Sequence, residues 1–79
     1  MNTVNQRIRK ILKEWKTEAK ATRPTHVSLR RGILTIYSSE VGYFIGKRGD
    51  LVYKYKNILI NQFPQIKDVV FEEVDFFWI

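Results

Sequence analysis

The sequence predicts an α+β domain of two layers, a three-stranded mixed sheet with helices on one face. Three observations predict it. An amphipathic run opens the chain, with Val4, Ile8, Ile11, Leu12, Trp15 and Ala19 recurring at helical spacing. Two short β-type runs follow, separated only by Arg31-Gly32. A second amphipathic run then leads into a last β-type segment, so that the final strand returns after a helical crossover, which suits parallel pairing.

The first helix is expected over residues 3–21, with Asn2 or Thr3 as cap and Pro24 as its stop, because the residue before a proline is pushed out of the α region. His26-Val27-Ser28-Leu29-Arg30 alternates apolar and polar from Val27, and Ile33-Leu34-Thr35-Ile36-Tyr37-Ser38 is rich in β-branched and aromatic residues. Arg31-Gly32 between them is a tight turn, so the two pair as a hairpin. Ser39 caps a short helix from Glu40 to Ile45, which Gly46–Gly49 breaks. Asp50 caps the next helix, which runs to Gln62 and buries Leu51, Val52, Tyr55, Ile58, Leu59 and Phe63. The last strand is expected from Ile66 to about Val74, with Val69 and Phe71 on one side and Val70 and Glu72 on the other. Trp15, Phe63 and Phe71 read as core.

Composition narrows the class. At 79 residues the chain is a single domain, expected over 1–79. A domain of this size buries only roughly 60% of its unfolded surface. There are no cysteines, which removes disulfides and thiolate metal sites and agrees with a reducing cytoplasm, the expected location. No apolar stretch approaches the ~20 residues of a membrane-spanning helix, and no membrane partner is expected. Net charge is +6 and unevenly spread: residues 1–31 hold nine Lys/Arg against Glu14 and Glu18, while residues 32–79 hold five bases against six acids. Basic excess of this kind favours polyanions.

Ile45-Gly46-Lys47-Arg48-Gly49 is the most informative stretch. Glycine tolerates φ > 0 and lets a second backbone approach, and the two cations supply charge at the point of approach. The combination suits a sugar-phosphate strand better than a small metabolite. With Val41-Gly42-Tyr43-Phe44 before it and Asp50-Leu51-Val52 after it, the stretch fits an Ile-Gly-x-x-Gly-x-x-(Ile/Val) pattern. This pattern, the strand Ile33–Tyr37 running into it, and His26–Arg30 after a basic helix together resemble type II, or prokaryotic, KH domains, such as that of the third protein of the small ribosomal subunit. The element order α-β-β-α-α-β is similar over the whole chain. KH domains clamp about four nucleotides of backbone with their G-x-x-G loop. The resemblance implies that Lys47 and Arg48 contact phosphates, that Gly46 and Gly49 permit close packing, and that Val41, Ile45 and Val52, with Gly42 and Tyr43, border an apolar groove for bases. Arg30 and Arg31 are candidates for a second phosphate contact.

The expected activity is therefore binding of single-stranded RNA, with DNA as the alternative polyanion. Tyr37, Tyr43, Phe44 and Tyr53 are candidates for base stacking, Tyr43 foremost. Catalysis is not expected: His26 is the lone histidine and reads as structural, and no carboxylate pair or metal-ligand cluster stands out. A P-loop fails on spacing, because Gly42 and Gly46 are only three residues apart and Arg48 follows Lys47. No cofactor is expected. A second reading is a protein-interaction adaptor, with a ribonucleoprotein component or a second copy (a homodimer) as partner, using the first helix and the apolar Phe76-Phe77-Trp78-Ile79 tail.

Overall fold

In the computed structural model, which describes residues 3–74, the chain forms α1 (Thr3–Ala19), β1 (Thr25–Arg30), β2 (Ile33–Ser38), α2 (Val41–Ile45), a single 3-10 turn (Lys47–Gly49), α3 (Asp50–Gln62) and β3 (Asp68–Glu73). This is the α-β-β-α-α-β order that the sequence predicts. The strands make one mixed sheet in the order β1-β2-β3, with β1 antiparallel to β2 and β3 parallel to it. The capping expected of Asn2 or Thr3 and the expectation for the Phe76–Ile79 tail fall at or outside the limits of the described residues.

Strand alternation fixes which side chains meet the helices. Val27 faces Ile36 and Leu29 faces Leu34 across the antiparallel ladder, while Leu34 faces Val69 and Ile36 faces Phe71 across the parallel one. These six residues share the helix side of the sheet. Leu34, Ile36 and Val69 are buried there with Ile8, Ile11, Trp15, Phe44, Tyr55, Leu59, Phe63 and Ile66. Phe71 is half-buried against the same cluster. Val27 and Leu29 are not covered: they stay 40% and 36% exposed. The helix layer is offset, because α1 packs on α2 and α3.

Trp15 organises the core. It is fully buried, and its indole N–H donates to the Phe44 carbonyl at 2.9 Å. Its ring stacks on Tyr55 (centroids 5.3 Å apart, planes 8° apart) and meets Phe44 and Phe71 edge-on at 5.7 and 5.6 Å. One side chain of α1 thus touches α2, α3 and β3.

Local stops differ from the sequence expectation in three places. Helix α1 ends at Ala19, short of Pro24. Lys20 adopts φ 61°, its N–H bonds to the Thr17 carbonyl, and the Ala21 N–H bonds to the Lys16 carbonyl. This is the double bond of a Schellman stop, with lysine where glycine is usual. Ser39 does not cap α2: Glu40 occupies the cap position, and its N–H donates to the Ser38 hydroxyl at 2.8 Å. The Glu40 carboxylate instead accepts from the backbone N–H groups of Thr22 and Arg23, tying the α1–β1 connection to the start of α2. Asp50 is the first residue of α3 rather than its cap, which is Gly49 in the left-handed region. An acidic side chain in the first helical turn still opposes the helix dipole favourably.

The Tyr55 hydroxyl donates to the Glu18 carboxylate at 2.6 Å, and Lys54 bridges to the same oxygen at 2.9 Å. Burial, then the carboxylate beside it, pushes the Tyr55 phenol up to about 12. The folded state therefore holds that proton more tightly than the unfolded chain, so this contribution to stability is complete below pH ~10 and is lost as pH rises toward 12. A spectrophotometric titration is expected to show one tyrosine ionising late, and in Tyr55→Phe the alkaline loss of thermal stability between those values is expected to be smaller.

Candidate nucleic-acid interface

The loop between α2 and α3 is built around one glycine. Gly46 has φ 80° and ψ −179°, a backbone conformation essentially confined to glycine. A Cβ placed on it would lie 2.5 Å from the Asp50 Oδ1 and 2.9 Å from the Leu51 Cβ. The chain turns here against the first turn of α3, with no room for a side chain. The Gly46 N–H closes α2 on the Gly42 carbonyl at 3.1 Å, and the Gly46 carbonyl accepts from the Gly49 N–H at 3.2 Å. The turn between them lifts Lys47 and Arg48 to the surface, where both are exposed. Arg48 is itself left-handed (φ 58°), a strained state for a residue with a Cβ. Gly49 follows at φ 77°, and a Cβ placed on it would meet only the Val52 side chain, at 3.8 Å.

Among the described residues the ion pairs are Lys54–Glu18 and Lys56–Asp68, and neither involves the loop. Asp50 is the nearest acid in sequence, and its carboxylate lies beside Gly46. The start of α3 thus already carries an anion, and attraction for a phosphate falls to the Lys47 and Arg48 side chains.

At the start of α2, the end away from the loop, α2 and the end of β3 border an open cavity of about 380 Å³ lined by Val41, Gly42 and Tyr43 with Arg23, Glu40 and Glu73. Tyr43 is 56% exposed at its edge. Ile45 and Val52 do not line this cavity. Ile45 is partly exposed at the end of α2, and Val52 is half-buried under Gly49. Of the stacking candidates, Phe44 is buried in the core and unavailable, while Tyr53 is largely exposed on α3. Arg30 and Arg31 are not near the loop. They sit at the hairpin end of the sheet, where the Gly32 carbonyl accepts from the Lys67 and Asp68 N–H groups ahead of β3. The loop heads α3 and this turn lies beyond its far end, so the helix separates them by about 20 Å.

Sequence reasoning missed Arg23, Glu40 and Glu73. They come to the cavity from three separated segments, and only the folded topology shows it. Among the described residues there is no cluster of three His, Asp or Glu able to hold a metal, and no helix long and apolar enough to cross a membrane. Comparison of the chain with protein-family models, curated proteins and solved structures gives no match, so the geometry of the loop carries the functional reading.

The glycines separate by role. Gly46→Ala must strain the backbone and displace Asp50 and Leu51, and is expected to cost about 2–4 kcal/mol. Gly42 sits within α2, where a methyl group would meet nothing within 4 Å, so Gly42→Ala is expected to be neutral or to stabilise by up to ~1 kcal/mol. Thermal denaturation of the two variants checks the contrast.

Proposed function

We propose that this chain is a KH-type module that binds single-stranded nucleic acid, RNA in preference to DNA, through the loop Gly46–Gly49. The observation that carries this reading is the loop itself: two exposed cations outside any ion pair among the described residues, on a turn whose first glycine admits no side chain, set between two helices. Lys47 and Arg48 contact adjacent phosphates, and the Gly46–Gly49 backbone allows the sugar-phosphate chain to lie close. The cavity bordered by Val41, Gly42 and Tyr43 takes a base, with the Tyr43 ring as its stacking wall. Phosphate contacts position the strand, and base edges supply any preference for sequence. Glu40 and Glu73, which also line this cavity, favour the donor edge of a base there over a phosphate. Arg30 and Arg31, on the hairpin turn beyond the far end of α3, serve only a strand long enough to cross the domain.

Two phosphate contacts make a weak binder whose affinity falls with salt, with a log–log slope of about −1.4 for a single strand. Lys47→Asp/Arg48→Asp is expected to abolish binding of single-stranded RNA at low salt and to leave the fold intact, since both side chains are exposed. Asp50→Asn removes the negative charge beside the loop and is expected to raise affinity a few-fold. Fluorescence anisotropy across a salt series, with circular dichroism as the folding control, checks both. Unchanged affinity in the double variant contradicts the assignment.

A further inference from the structure

The hairpin end of the sheet carries a second cationic cluster, at the opposite end of α3 from the loop. Arg31 and Gly32 form the two-residue connection between β1 and β2, and both have positive φ, 53° and 84°. That is the type I′ pattern, for which asparagine followed by glycine is the favoured pair. Among the described residues, the non-glycine positions with positive φ are Lys20, Arg31 and Arg48. All are cations, although asparagine and aspartate adopt this conformation more readily. Lys20 closes α1, while Arg31 and Arg48 stand at the tips of turns. Strain of this kind gathers where a side chain is needed for binding.

A third cation joins the turn from the segment ahead of β3. A Cβ on Gly32 would lie 3.0 Å from both the Cγ and the Cδ of Lys67, so the Lys67 stem is packed across the turn. The Lys67 and Asp68 N–H groups donate to the Gly32 carbonyl at 2.7 and 3.2 Å, which fixes that approach. Arg30, Arg31 and Lys67 are exposed, and none is in an ion pair among the described residues. Asp68, beside Lys67 in sequence, is taken by Lys56 at 2.7 Å. Three like charges without a counter-charge repel one another, and an anion between them relieves the repulsion.

We propose that Arg30, Arg31 and Lys67 form a second phosphate site, which holds the far end of a single strand whose near end lies at Gly46–Gly49. The inference rests on the reading of the loop as a nucleic-acid site and adds a length requirement to it. α3 sets the two sites about 20 Å apart. At ~3.4 Å per stacked nucleotide that distance takes about six nucleotides. A strand of about four held at the loop stops short of the turn, and one of about ten reaches both. The cations of α1 are the competing source of extra contacts: Arg9, Lys13 and Lys16 border a groove between α1 and β1. They stand on regular helix, without the strain of Arg31.

Anisotropy titrations across a salt series, with strands of about four and about twelve nucleotides, separate the sites. Two phosphate contacts give a log–log slope of about −1.4 and five give about −3.5. The short strand is expected to show the first slope and the long strand the second. Arg30→Gln/Arg31→Asn/Lys67→Gln is expected to return the long strand to about −1.4, to weaken its binding at least tenfold at low salt, and to leave the short strand unaffected. Arg9→Gln/Lys13→Gln/Lys16→Gln is expected to leave both slopes unchanged. Arg31→Asn alone puts the residue type that the turn favours at this position, so it is expected to keep the fold while weakening the long strand several-fold, which keeps the test informative if the triple variant fails to fold. Equal slopes for the two strands, a long-strand slope that the triple variant does not change, or one lowered by the α1 variant instead overturns this inference and leaves the loop reading standing. A Lys47→Asp/Arg48→Asp chain that binds the short strand as the parent does overturns the loop reading.

Discussion

The hydrogen bond from the Trp15 indole to the Phe44 carbonyl is the constraint on which the placing of the G-x-x-G loop depends. Phe44 is the next-to-last residue of α2, two positions before Gly46. An indole N–H with no water around it costs about 1–3 kcal/mol if left unpaired, so the carbonyl has one favourable place relative to α1. The same ring stacks on Tyr55 of α3 and meets Phe71 of β3 edge-on. The loop therefore joins two helices whose separation is set from beneath by one aromatic side chain. In a domain this small, with a single core to draw on, that economy matters.

Much of the architecture is legible in the residues. Period-3.6 runs mark α1 and α3, β-branched runs mark β1 and β2, and Arg31-Gly32 marks the turn between them. The G-x-x-G stretch marks a turn between two helices, because glycines so spaced admit the positive φ that Gly46 and Gly49 adopt. What is not legible lies in how the layers sit on each other. The alternation of Val27 and Leu29 assigns them to the helix side of β1, yet periodicity carries no record of whether a helix covers that side. α1 leans toward α2 and α3, and the two residues stay partly exposed. Arg30 and Arg31 carry the right charge to assist the loop, but the direction of α3 puts them at its opposite end. Local stops escape the sequence for a related reason. Pro24 is a strong signal and Lys20 a silent one, although Lys20 takes the left-handed conformation that closes α1. Ser39 is a better cap by type than Glu40, but the carboxylate of Glu40 is needed by the backbone of Thr22 and Arg23.

Charge is unevenly distributed over the surface. Glu18 and Asp68 are each neutralised by a lysine of α3. The Tyr55 hydroxyl and Lys54 hold the Glu18 carboxyl below the usual carboxylate range, and Lys56 with the Val69 N–H does the same for Asp68. Among the described residues, the cations left outside ion pairs include Lys47 and Arg48 on the loop and Arg9, Lys13 and Lys16 on α1, beside Val27 of β1. The first pair stands on a positive-φ turn whose Gly46 packs against Asp50 and Leu51. The second set borders an apolar floor and an open strand edge.

The most direct measurement is a titration of the ¹⁵N-labelled chain with short single-stranded RNA of mixed sequence, followed by amide chemical shifts. Binding through the loop requires the largest shifts at residues 41–53, centred on Lys47 and Arg48, with the hairpin turn at Arg30–Arg31 little changed for a strand of about four nucleotides. Shifts that leave the loop untouched, or that gather along the α1–β1 groove instead, contradict it.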